Sequence, residues 1–151
     1  MIVCRSRVEI EKLRRVNQLV AQVLAELRQM AVPGVTTADI DRVAEDRVRA
    51  AGAEPAFKGY HGYPATVCVS ANEQVVHGIP SRHRRIRDGD VVSLDVGCIW
   101  QGWHADCART WFVGTPPAPV AELIDATRRG MEAGIAAALP GNRLGDVGAA
   151  I

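Results

Sequence analysis

Asp95 and Asp106 are the residues of this chain whose type and spacing most invite chemistry. They lie in the stretch SLDVGCIWQGWHAD, Ser93 to Asp106. The spacing predicts one strand over Val91 to Gly97 and a second over Trp103 to Val113, joined by a tight turn near Trp100-Gln101-Gly102. A turn centred between 100 and 101 sets Asp95 directly opposite Asp106, and period two then sorts the faces. Val92, Leu94, Val96 and Cys98 make one face apolar, while Ser93, Asp95, His104, Asp106 and Thr110 share the other. Two opposed carboxylates with Cβ atoms about 5 Å apart repel each other. In a low-dielectric site that repulsion is worth kilocalories. Water over the face, a proton held by one carboxyl as in an acid/base dyad, or a cation between the two would each relieve it. A hard divalent metal suits carboxylate oxygens, and nearby histidines add imidazole ligands. The competing reading is a wetted sheet face on which two aspartates fall by chance. A slip of one residue would part the pair.

Other candidates carry weaker signals. His77, in VVHGIP, reads by itself as a loop histidine with a structural role. Trp100, Trp103 and Trp111 read as core or turn packing rather than a ligand platform. The run SRHRRIR, Ser81 to Arg87, is the local basic cluster, and such runs are most often solvated loops.

Helices must frame these strands. Ile10, Leu13, Val16, Val20, Val23, Leu24, Leu27 and Met30 recur at helical spacing, and Pro33-Gly34 ends that segment. Thr36 or Thr37 can cap a second helix, ADIDRVAEDRVRAA, which Gly52 stops. From Tyr60 to Gly114 glycines multiply, and the β-branched runs TVCVS, EQVVHGI, DVVSLDVG and ARTWFVG predict strands. After Pro116 to Pro119 the helical period returns over Val120 to Leu139 and stops at Pro140-Gly141. An internal echo emerges. Pro33-Gly34 precedes Asp39-Ile40, and 107 residues later Pro140-Gly141 precedes Asp146-Val147 at the same offsets. The repeating unit is helix, Pro-Gly, helix, strands, and the second copy stops at Ile151 before any strand.

The bulk numbers exclude several classes. The chain has 151 residues, 48% hydrophobic and 23% charged, which suits one globular domain and not a disordered chain. A net charge of +1 argues for no global attraction to DNA or an anionic membrane. No apolar run approaches the roughly 20 residues a bilayer span needs. The opening MIVCRSRVEIEKLRR has no apolar signal core. Cys4, Cys68, Cys98 and Cys107 show no paired spacing, so reduced cytosolic thiols are expected.

The blocks YHGYPATVCVSANEQVVHGIP, DGDVVSLDVG and GWHADCARTW, with VPGVTTADID upstream, resemble type I methionine aminopeptidases over essentially the whole chain. The resemblance implies the pita-bread α/β fold of α+β type, two halves related by a pseudo-twofold axis, which agrees with the echo. It implies a single partial catalytic domain over residues 1–151, with 1–115 as the first half and 119–151 as the start of the second. It implies that Asp95 chelates one of two divalent metals (Co, Mn, Fe or Zn), that Asp106 bridges both, and that His77 contacts the substrate and assists the tetrahedral intermediate. Phe57, Tyr60, Tyr63 and Cys68 fall where the family builds its methionine pocket, and aromatics with a thiol suit a thioether. The family's metal set also needs a histidine and two glutamates from its second half, which Glu122 and Glu132 do not match. The chain is accordingly expected to be a fragment of a longer enzyme, and its metal affinity to be low. The implied activity is cytoplasmic removal of initiator methionine from nascent chains whose second residue is small, by two-metal activation of water. The basic run would contact the ribosome. A pita-bread relative that binds partners without catalysis, or an inactive fragment, is the alternative. Peptidases of this fold that cut before proline fit the blocks less well.

Overall fold

Ser6 opens the first helix by a reciprocal cap. Its hydroxyl accepts from the Glu9 N–H at 3.3 Å, and the Glu9 carboxylate accepts from the Ser6 N–H at 2.7 Å. The computed structural model, which describes residues 3–151, extends this helix, α1, over Arg7–Met30. Thr36 caps α2, Thr37–Ala50, in the same way through Asp39. A two-residue strand β1, Glu54–Pro55, and a 3₁₀ turn at Tyr60–Gly62 precede β2, Val67–Ala71. Two long strands follow, β3 over Val91–Trp100 and β4 over Trp103–Phe112. Helices α3, Ala118–Ala137, and α4, Leu144–Ala150, make up a second compact unit, Thr115–Ile151, apart from the unit that ends at Gly114.

β3 organises the sheet. β4 lines its whole length on one side, while β2 and then β1 succeed each other along the other side, all antiparallel. Val92, Leu94, Val96 and Cys98 are fully buried, joined by Val67 and Val69 of β2 and by Val16, Val20, Val23, Leu24 and Leu27 of α1. The α2 residues Ile40, Ala44 and Val48 close the same core. The tryptophans sit at its rim on that face, each under a basic side chain of the α1 segment. The Arg15 guanidinium lies 4.2 Å from the Trp100 ring centre, Arg5 lies 5.4 Å from Trp103, and Arg28 lies 6.0 Å from Trp111. They pack, as the sequence indicated.

Two expectations need correction. The hairpin turn is the residue pair Gln101-Gly102, with φ of +51° and +78°, so Trp100 pairs with Trp103. A two-residue turn with both residues left-handed matches the natural twist of the strands, and this moves the partner of each β3 residue by two positions. Asp106 therefore opposes Gly97, and Asp95 opposes Ala108. The faces are unchanged, because the shift preserves parity. The second correction is at EQVVHGI, which forms no strand. Asn72 turns the chain with φ of +57°, His77 is also left-handed at +58°, and Val75 is 86% exposed.

The basic run is partly absorbed by the fold. Ile86 is buried, its N–H donates to Val35 O at 2.9 Å, and its carbonyl accepts from Gly34 N–H at 2.8 Å. Arg84 pairs with the buried Asp90 at 3.1 Å, and Arg85 donates to the Gly34 carbonyl at 2.7 Å. The segment thus stitches the α1–α2 turn, leaving Arg82, His83 and Arg87 exposed.

The internal echo reaches the backbone. α1 ends at Met30 and α3 at Ala137; α2 begins at Thr37 and α4 at Leu144, each pair 107 residues apart. The capping alanines, Ala31 and Ala138, share ψ of 63°, and Gly34 and Gly141 share φ of +97°. Asp39 and Asp146 each accept from the N–H three residues earlier, at 3.3 and 2.7 Å.

Leu94 is wholly buried at the centre of the core. Leu94→Ala is expected to lower unfolding free energy by roughly 2–5 kcal/mol, read as a drop in denaturation midpoint with an unchanged m-value.

Candidate metal and peptide site

The polar face of the sheet follows from the same alternation that buries the other face. Cys68 and Ser70 of β2 oppose Asp95 and Ser93 of β3, so all four project to one side, with Gly97, Asp106 and Thr110 beside them. Ser93 and Thr110 hydroxyls meet at 2.7 Å across the ladder. Asp95 and Asp106 are diagonal neighbours on this face rather than directly opposed. The diagonal still lets their carboxyl groups interact. Burial most of all, and then the charge and contact of the adjacent Asp106, push the Asp95 carboxyl up to about 6, with His77 opposing the rise. One oxygen of Asp95, Oδ1, is fully buried and has no hydrogen-bond partner. A buried carboxylate oxygen without a partner is costly. Asp106 itself is exposed.

Gly97 makes room for the aromatic wall. A Cβ there would lie 2.6 Å from the Phe57 ring, so the absence of a side chain opposite Asp106 lets Phe57 settle against the sheet. The next residues turn sharply. Gly59 has φ of +90°, its N–H donates to Tyr63 O at 2.8 Å, and His61 stands left-handed at +47°. This turn presents Tyr60 and Tyr63 on the same side as Phe57. Tyr60 and His61 stack edge to face with ring centres 4.3 Å apart. From below, Asp41 of α2 accepts from the N–H groups of Thr66 and Val67 at 2.7 and 3.1 Å and so fixes the start of β2, which carries Cys68.

One cavity of about 530 Å³ gathers every candidate. Its wall includes Phe57, Tyr60, Tyr63, Cys68, His77, Asp95 and Asp106. The volume lies in the range of small-ligand sites, roughly 300–1,000 Å³. His61, Gly62, Pro64 and Ile79 line it too and were not singled out from sequence. They flank named residues inside YHGYP and HGIP, and that adjacency was the available signal. His104, on the same sheet face, is not part of the wall. The wall has two characters. Burial raises both the Tyr63 phenol and the Cys68 thiol, so that side stays neutral, whereas the aspartates make the other anionic. Among the described residues no three His, Cys, Asp or Glu side chains converge as a metal-binding group. The oxygen donors of Asp95 and Asp106, one of them unpartnered, fit part of the shell of a hard divalent ion. All four cysteines are free, and no helix among the described residues is long and apolar enough to cross a membrane.

Comparison with known proteins agrees in kind. The methionine aminopeptidase of Clostridium acetobutylicum is 45% identical over 147 residues, 97% of this chain and 59% of that protein. Methionine aminopeptidase A of Synechocystis is 48% identical over 147 residues, covering 97% and 58%. The crystal structure of methionine aminopeptidase from Thermotoga maritima superposes with a TM-score of 0.95 at 41% identity, over 100% of this chain and 61% of that one. The expected pita-bread fold is the one such structures show. The chain spans less than two thirds of the length of each of these proteins. The model of metallopeptidase family M24 matches residues 11–151, and the chain belongs to that family.

Proposed function

We propose that this protein is a metal-dependent aminopeptidase that removes N-terminal methionine from nascent proteins whose second residue is small. The observation that carries the proposal is one cavity joining a neutral aromatic and thiol wall to a strained pair of carboxylates. The neutral wall of Phe57, Tyr60, Tyr63 and Cys68 suits an unbranched thioether side chain, which gains dispersion contact and asks for no counter-charge. Asp95 and Asp106 would hold the divalent ions, with Co, Mn, Fe or Zn all compatible with the donor set. When bound, such a pair activates water and polarises the scissile carbonyl. Asp95 Oδ1, buried and unpartnered, would gain most from a cation, and Asp106, its diagonal neighbour, would supply a second carboxylate. His77 lines the same cavity and would contact the substrate and assist the tetrahedral intermediate. The preference for a small second residue rests on the likeness to methionine aminopeptidases. In this reading residues 1–115 are the first half of a catalytic domain and 119–151 begin the second, the half in which the family resemblance puts the remaining ligands. Cytoplasmic nascent chains are the substrate class, and exposed Arg82, His83 and Arg87 are the groups left for ribosomal contact. The two carboxylates and the histidine on one cavity wall favour catalysis over a binding role without it.

Methionine release from a Met-Ala-Ser peptide should require Co²⁺ or Mn²⁺ and stop with a chelator. Asp106→Asn should cost at least the ~10–100-fold that loss of even an outer-sphere metal partner costs. Activity indifferent to the chelator, or an unimpaired Asp106→Asn, overturns the proposal.

The raised Asp95 pKa sets a second expectation. An unfolded aspartate titrates near 3.9, and the folded group near 6. The folded state therefore binds the proton more tightly, and this group's contribution to stability, full below pH ~4, is lost as pH rises through about 6. Metal-free protein should be less stable to urea at pH 7 than at pH 4.5 on account of Asp95, and Asp95→Asn should flatten that part of the profile. Mn²⁺ affinity should rise across the same window as the competing proton leaves.

A further inference from the structure

The segment after β2 folds back over the polar face of its own strand. It leaves β2 at left-handed Asn72, is pinned where Gln74 accepts from the Ala71 N–H at 3.1 Å and donates its own N–H to the Ala71 carbonyl at 3.2 Å, and then runs exposed through Val75 and Val76. His77 follows, left-handed and exposed, with no side-chain hydrogen bond among the described residues. A residue other than glycine at such a φ persists only where its surroundings hold it. The holding groups are on the next residue. The Gly78 N–H donates to the Ser70 hydroxyl at 3.0 Å, and the Gly78 carbonyl accepts from Val69 N–H at 2.9 Å and from the Tyr63 hydroxyl at 3.1 Å. Gly78 sits so close that a Cβ would lie 2.8 Å from Ser70 Cα. Ser70 is only 3% exposed and stands between Val69 and Ala71 in an otherwise apolar strand. A buried hydroxyl there is unfavourable unless it is bonded, and the bond it makes is to this loop.

Resting on the aminopeptidase reading above, we propose that Ser70 is a positioning residue. It acts through Gly78 to hold the His77 backbone in its left-handed state, so that the imidazole stays over the cavity that Asp95 and Asp106 line. Tyr63 closes the same clamp from the pocket wall. The methionine pocket and the histidine are thereby fastened to one carbonyl, and a peptide seated in the pocket meets a pre-set His77 rather than a wandering one.

The test compares Ser70→Ala with the parent protein by amide hydrogen exchange and by methionine release. Ser70→Cys, close in size but a far weaker acceptor, is a second variant should the alanine form fold poorly. The Gly78 amide is expected to lose protection on the order of 10-fold, as a buried donor left without its acceptor does. The kcat for the Met-Ala-Ser peptide should fall on a similar scale with KM little changed. In a His77→Ala background the Ser70 substitution should add no further loss. Full protection of Gly78 in Ser70→Ala, or an equal rate loss with and without His77, overturns the proposal. A parent protein that releases no methionine would sink the aminopeptidase reading alone, because the exchange measurement still decides whether Ser70 holds the loop.

Discussion

Two carboxyl groups share one face of an antiparallel ladder, and the opposite face of the same strands is the hydrophobic core. Asp95 lies between Leu94 and Val96, both fully buried, so the core fixes the backbone that carries it. Asp106 stands diagonally across the ladder from it, on the exposed end of the same face. Burial first, and the Asp106 charge second, raise the Asp95 carboxyl to about 6, and one of its oxygens is buried with no partner. A carboxylate already stripped of water in this way would be stabilised by a neighbouring cation, which would replace the lost solvation.

The remaining features serve that constraint from the periphery. α1 lays five buried side chains and a row of basic groups over the core face and its tryptophan rim, which stiffens the strands from behind. In front, Gly97 withdraws its side chain so that Phe57 can approach, and Asp41 fastens the strand that carries Cys68. Neutral and anionic walls thus meet at a short distance without a charged residue in the apolar part.

The helix, Pro-Gly, helix unit recurs 107 residues on with the same helix boundaries, the same glycine φ and the same acid at the third helical position. Proline stops the first helix by lacking an N–H, glycine supplies the left-handed turn, and the acid accepts from the free amide that opens the next helix. The two copies differ almost everywhere else, so what repeats is the local chemistry of stopping and restarting a helix.

Much was legible because it depends on neighbours in the chain. Helical periodicity located α1, α2 and α3 to within about two residues, and alternation put Ser93, Asp95, His104, Asp106 and Thr110 on their common face. The likeness of YHGYP, VVHGIP and HAD to methionine aminopeptidases pointed to the residues that the fold gathers in one cavity. The details that escaped depend on backbone twist and on contacts far along the chain. Alternation cannot choose between registers of equal parity; the left-handed Gln101-Gly102 pair chose, and moved Asp106 from opposite Asp95 to opposite Gly97. The β-branched run EQVVHGI has the composition of a strand, yet Asn72 turns it back on β2, and Ser70, Val69 and Tyr63 hold Gly78. The burial of Asp95 Oδ1 was likewise set by packing from several segments at once. Sequence by itself determined which residues face the core and which face the site, because that is a matter of period. Tertiary structure decided that the two aspartates stand diagonally and that the Gly78 loop is tied to β2, because turns and hydrogen bonds between segments set these, and periodicity does not record them.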